Sequence, residues 1–117
     1  MPEPTEIRYD KASHVLDIAF DDGAHFHLPA ELLRTQSPSA EVQGHSPDER
    51  KLVSGRRHVG IIGIEPVGNY AVRLVFDDLH DSGLYSWSYL YHLGQDQDEI
   101  WQAYLSEIAA AGLSREP

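Results

Sequence analysis

The sequence predicts an α+β fold: an antiparallel sheet built from two β-hairpins, a short intervening helix and two C-terminal helices. Three observations carry this reading. Leu16, Ile18 and Phe20, and again Val72, Leu74 and Phe76, alternate with other residues at the period of two that places side chains on one face of a strand. Turn residues, Asp21-Asp22-Gly23 and Gly68-Asn69, separate each of these runs from a second apolar run, which is the pattern of a hairpin. Ile100, Trp101, Tyr104, Leu105 and Ile108 recur instead at helical spacing before Gly112.

Taken in order, Ile7-Arg8-Tyr9 reads as a first strand, Asp10 to Ser13 as a turn, and His14 to Phe20 as a second strand. Asp tolerates and Gly readily adopts the positive φ that the following tight turn needs. The returning strand, Ala24 to Leu28, turns Phe26 and Leu28 inward and His25 and His27 outward. Pro29 suits the start of a helix because its missing N–H is no loss there, and 30–34 follows as a short helix. Residues 36–55 hold four Ser, two Pro, two Gly and five charged residues with little apolar periodicity, so the segment reads as a long mobile loop. The second hairpin spans Val59 to Phe76, and Asp77 to Gly83 is a polar connection. Ser86 caps a helix carrying Trp87, Leu90 and Tyr91 that ends near Gly94. Asp96, with Glu99 three residues on, resembles a capping box for the final helix, 96–112.

A chain of 117 residues fits one domain, 1–117, and buries roughly 65% of its unfolded surface, enough for a core without staples. The absence of cysteine excludes disulfides, thiolate metal sites and a cysteine nucleophile. Nineteen acidic against nine basic residues give a net charge of −10, which opposes nucleic acid as a principal partner because such binding draws on cationic side chains. No apolar run approaches membrane-spanning length and the N-terminus shows no secretory pattern, so the expectation is a cytoplasmic protein without a membrane partner. Oligomeric state is not legible in the sequence.

Three strings carry a resemblance. They are Leu33-Arg34 leading into Ser37-Pro38-Ser39-Ala40-Glu41-Val42, the hairpin Gly63 to Val72, and His80-Asp81-Ser82-Gly83-Leu84-Tyr85-Ser86-Trp87-Ser88-Tyr89-Leu90. The chain resembles the N-terminal-like domain of gamma-butyrobetaine hydroxylase, which also occurs as small stand-alone bacterial proteins of unassigned function. In metal-binding members three cysteines and one histidine hold zinc; the resemblance places Ser37, Ser39, Val42 and His80 at those positions, so only the histidine persists. Hydroxyls are poor zinc donors and valine is none, so no cofactor is expected here, zinc belonging to the cysteine-bearing relatives. The oxygenase chemistry of larger members resides in a separate domain, and fusion of this domain to iron–sulfur ATPases implies an accessory role.

Other residues invite sharper readings. His80-Asp81-Ser82 has the residue types of a hydrolase triad, but adjacent residues do not align nucleophile, base and orienter, and a hairpin exit explains them better. Asp21-Asp22 and Asp77-Asp78 read as solvated turn residues. His25 and His27 share one strand face at a spacing compatible with a metal, lacking a third ligand; His14, His80 or a carboxylate would have to supply it, and an exposed polar face explains the pair equally. Of the aromatic run, Trp87 is assigned with Leu90 to the core and Tyr89 and Tyr91 to a partner surface, along with the basic cluster Arg56-Arg57. The sequence reads best as a non-enzymatic binding or adaptor domain with a protein partner, with no recognised catalytic constellation. The alternative is a small metal-binding protein using His25, His27 and His80.

Overall fold

The computed structural model describes residues 2–44 and 47–117, and bears out the α+β class with the strands divided into two sheets. The first is a meander of β1 (Pro4–Asp10), β2 (Val15–Phe20) and β3 (His25–Pro29), all antiparallel. Its register sets Leu16 opposite Leu28 and Ile18 opposite Phe26 on the inner face, and Asp17 opposite His27 on the outer. The second sheet holds β4 (Ile61–Val67), β5 (Ala71–Phe76) and β6 (Leu84–Ser86). The sequence reading lacks β6, because three residues are too few to show a period; pairing with Ala71 to Arg73 makes this a strand.

Between the sheets lie α1 (Ala30–Thr35) and α2 (Ala40–Gln43), and after them α3 (Trp87–Gln95) and α4 (Gln97–Ala110). Every residue of α1 is buried, charged ones included. This is tolerable because Glu31 accepts two hydrogen bonds from Arg115, at 2.9 and 2.7 Å, and Arg34 donates to Asp78 at 2.7 Å. One apolar cluster spans both sheets: Leu16, Ile18 and Phe20 from β2, Val72, Leu74 and Phe76 from β5, Leu32 and Leu33 from α1, Tyr85 from β6, and Leu90 and Leu93 from α3.

Two local expectations change. The segment 36–55, apart from His45 and Ser46, which lie outside the described residues, is not uniformly irregular. It contains α2 and a 3-10 turn at Pro47–Glu49, and buries Ser37, Ser39 and Val42. The helix α3 ends one residue past Gly94, as expected, and at Gly94 an added Cβ would come within 2.2 Å of the Phe26 ring; the missing side chain lets helix and β3 meet. Asp96 does not cap α4 with its side chain, because its carboxylate is engaged by His92 Nδ1 at 3.0 Å. Ser86 caps α3 as expected, accepting from the Tyr89 N–H. Among the described residues no helix is long and apolar enough to cross a membrane.

Candidate functional site

The turn after α1 and the exit of β5 converge. Ser37 Oγ lies 2.9 Å from His80 Nε2, and Glu41 Oε2 lies 3.2 Å from His80 Nδ1 on the ring's other side. A carboxylate only accepts when ionised, so this order assigns the Nδ1–H tautomer: Nδ1 donates toward Glu41, and the Ser37 hydroxyl donates to Nε2. Ser37 Oγ also accepts the Ser39 N–H at 3.2 Å, Ser39 Oγ meets Ser82 Oγ at 2.6 Å, and Gln43 Nε2 donates to the Ser37 carbonyl at 2.8 Å. Ser39 also caps α2 through the Glu41 N–H. Burial holds the His80 imidazole below its ordinary pKa and the charge of Arg34 adds to this, against the opposing pull of Glu41 and Asp78.

Asp78 is the second centre. Its Oδ2 accepts from both Arg34 Nε and Arg56 Nε, each at 2.7 Å, while Oδ1 accepts the His80 N–H at 3.1 Å. Burial pushes this carboxyl up, but the His80 N–H and the two guanidinium groups outweigh it and leave the carboxyl below its ordinary range. Leu79, between these anchors, takes φ 72 and is 80% exposed, so the backbone passes through a left-handed residue to aim both Asp78 and His80 inward.

The sequence profile described as gamma-butyrobetaine hydroxylase-like, N-terminal, matches residues 7–91. The chain belongs to this family. Two proteins solved by NMR in solution are similar over 100% of this chain: one is 49% identical, covered over 92% of its own length, and the other 50% identical, covered over 87%, each with a TM-score of 0.86. A protein of unknown function of the DUF971 family from Acidithiobacillus ferrooxidans ATCC 23270, known from its crystal structure, is 36% identical; 79% of this chain and 92% of that one are covered, with a TM-score of 0.67. No curated protein matches.

In this gamma-butyrobetaine hydroxylase-like domain, Ser37 meets His80 and Ser39 meets Ser82, with Val42 one turn on from Ser39, but as a donor set these four residues do not fit zinc. Val42 offers no donor, the two hydroxyls are engaged with His80 and Ser82, and Ser37 touches the imidazole nitrogen directly. The order Glu41, His80, Ser37 is that of an acid, base and nucleophile, yet Ser37 is 0% exposed and no substrate carbonyl reaches its oxygen. His80-Asp81-Ser82 forms no triad either, as Asp81 pairs with Arg73 at 3.2 Å. Glu41 is the participant the sequence reading missed, since it meets His80 only after folding; Asp78, read there as a solvated turn residue, is instead largely covered and held by Arg34 and Arg56 from distant segments.

The remaining candidates are placed apart. His25 and His27 lie on the outer face of β3 with ring centroids 4.8 Å apart, and neither His14 nor His80 joins them. His14 Nδ1 is instead 2.9 Å from the Val59 carbonyl. The added group is Asp17, whose carboxylate meets His27 Nδ1. Tyr89 and Tyr91 are half-buried and engaged internally: Tyr89 donates to the Gln36 carbonyl, and Tyr91 donates to Asp22 at 2.7 Å while packing edge-on against Phe20 and Phe26. Their hydroxyls thus hold the fold, and only part of each ring faces outward. Trp87 is partly buried, its indole N–H donating to the Asn69 carbonyl at 2.8 Å. Arg56 is bound to Asp78, and Arg57 pairs with Glu116 from the C-terminal segment, so this basic cluster is neutralised from within.

Proposed function

We propose that this chain is a non-enzymatic binding or adaptor domain of the cytoplasm, acting through a protein partner and accessory to an oxygenase or to iron–sulfur or other metal metabolism. The observation that carries the reading is the Glu41–His80–Ser37 linkage, a polar network at the family's metal position in which buried Ser37 and His80 are joined by a hydrogen bond instead of a metal and the exposed Glu41 closes the outer side. Such a network does a structural job: it ties α2 and the turn after α1 to the exit of β5 while pairing the hydroxyls of Ser37 and Ser39 and the His80 ring. The zinc site is on this reading degenerate, and the domain's surface, not a cofactor, is what it contributes.

Two measurements test this. Protein made without a metal-binding tag should unfold at the same temperature with and without a strong chelator. Purification under native conditions from its source organism should yield a stoichiometric complex with an oxygenase or an iron–sulfur component. A midpoint lowered by many degrees in chelator, or a chain recovered free of either kind of partner, overturns the proposal.

A further inference from the structure

We propose that Asp17, His25 and His27 form a solvent-facing binding site for one divalent transition-metal ion of the zinc, nickel or copper class. The site is independent of the linkage at His80 and stands apart from the adaptor reading. It follows from strand geometry. Residues two apart on β3 project to the same face, and the register of β2 against β3 puts Asp17 directly opposite His27. One ligand atom from each of the three side chains lies within 4.8 Å of the others.

A tetrahedral ion with bonds of about 2.0–2.1 Å places its ligand atoms roughly 3.3 Å apart, so closure needs a contraction of about 1.5 Å at most. Rotation of the two exposed imidazoles can supply this, since both stand clear of the core. Asp17 is the more covered of the carboxylate–imidazole pair, its side chain 23% exposed against 68% for His27, and so acts as the fixed point. Residue 19, opposite His25, is alanine and brings no competing polar group to the site. The other charged groups that the β1 register places on this face are Glu6, Arg8 and Asp10: Arg8 is the cross-strand neighbour of Asp17 and lies 3.7 Å from Glu6, and Asp10 accepts the Ala12 N–H.

The donor chemistry selects the ion class. Two imidazoles and one carboxylate suit zinc, nickel and copper, whereas calcium and magnesium favour oxygen alone. Three protein ligands leave coordination positions for water. Ligation requires unprotonated imidazole, so the ion displaces any proton held between Asp17 and His27.

Titration calorimetry of untagged protein with zinc and copper salts tests the site, alongside NMR of the histidine ring protons. One ion per chain should bind, copper more tightly than zinc. His25→Ala, His27→Ala and Asp17→Asn should each weaken binding at least about tenfold, while His58→Ala and His92→Ala should not. His25→Ala is the decisive variant, because it leaves the Asp17–His27 contact in place: unchanged affinity would make that contact a cross-strand pair and nothing more. Ring signals of His25 and His27 should shift together on adding zinc. Absence of binding, or shifts confined to His58 and His92, overturns the proposal.

Discussion

Replacing Ser37, Ser39 and Val42 by cysteine should convert the Glu41–His80–Ser37 linkage into a zinc centre. In a tetrahedral site a sulfur at about 2.3 Å and an imidazole nitrogen at about 2.05 Å from the metal are roughly 3.6 Å apart. Ser37 Oγ and His80 Nε2 are 2.9 Å apart, so the gap must widen by about 0.7 Å, part of it supplied by the longer carbon–sulfur bond. The Glu41 carboxylate already sits 3.2 Å from Nδ1, the outer partner that a zinc-bound histidine requires, and aims Nε2 at the new ligands. With free zinc at about 100 times the dissociation constant, the native state gains about 2.7 kcal/mol. For a domain of this size that is a rise in unfolding midpoint of about 10 °C. The assay is thermal unfolding of the triple variant with zinc and with chelator, with zinc counted by elemental analysis. Adding His80→Ala should cost more than the roughly 10–100-fold expected of Glu41→Gln, since the first removes a ligand and the second only its orienting partner. A triple variant that binds no zinc, or binds it equally well without His80, would show that these four positions do not share one centre.

Asp78→Ala should destabilise by about 3–5 kcal/mol, read by chemical denaturation, because it leaves the buried Arg34 guanidinium without its carboxylate; a loss under 1 kcal/mol would mean that solvent already screens the pair. Gly94→Ala should lower stability by about 1–3 kcal/mol despite the better helix propensity of alanine, since the new Cβ meets the Phe26 ring, and a stabilised variant would refute that close approach. Amide exchange should be slow at Ser39 and from Glu41 to Gly44, whose N–H groups are held by Ser37, Ser39 and Ala40; uniformly fast exchange would restore the expectation of a mobile loop. Burial raises the phenol pKa values of Tyr85, Tyr89 and Tyr104, so folding holds their protons where the unfolded chain releases them. Stability should therefore fall as pH rises above about 10, the unfolded value, and Tyr85→Phe should flatten that decline; a profile level to higher pH would contradict the burial.

Much of the fold follows from local pattern alone. The alternation in Val15–Phe20 and Ala71–Phe76 sets which residues enter the core, because a strand's side chains have a period of two whatever lies opposite. The cap at Ser86 and the short helix after Pro29 follow from residues within one turn of each helix start. The motif positions Ser37, Ser39, Val42 and His80 were likewise legible in the family strings. What filled them was not: Glu41 and Ser37 reach His80 across about forty residues of chain, and no spacing rule connects them. The same holds for Asp17, brought to His27 by strand register, and for Asp78, which gathers Arg34 and Arg56 from separate segments. Gly94 reads only as a helix end until Phe26 is set against it, and no local pattern shows that Gln36 and Asp22 take the hydroxyls of Tyr89 and Tyr91. Periodicity is a property of the neighbouring residues and survives in one dimension, whereas the pairing of polar groups is decided by which distant segments the buried core forces together.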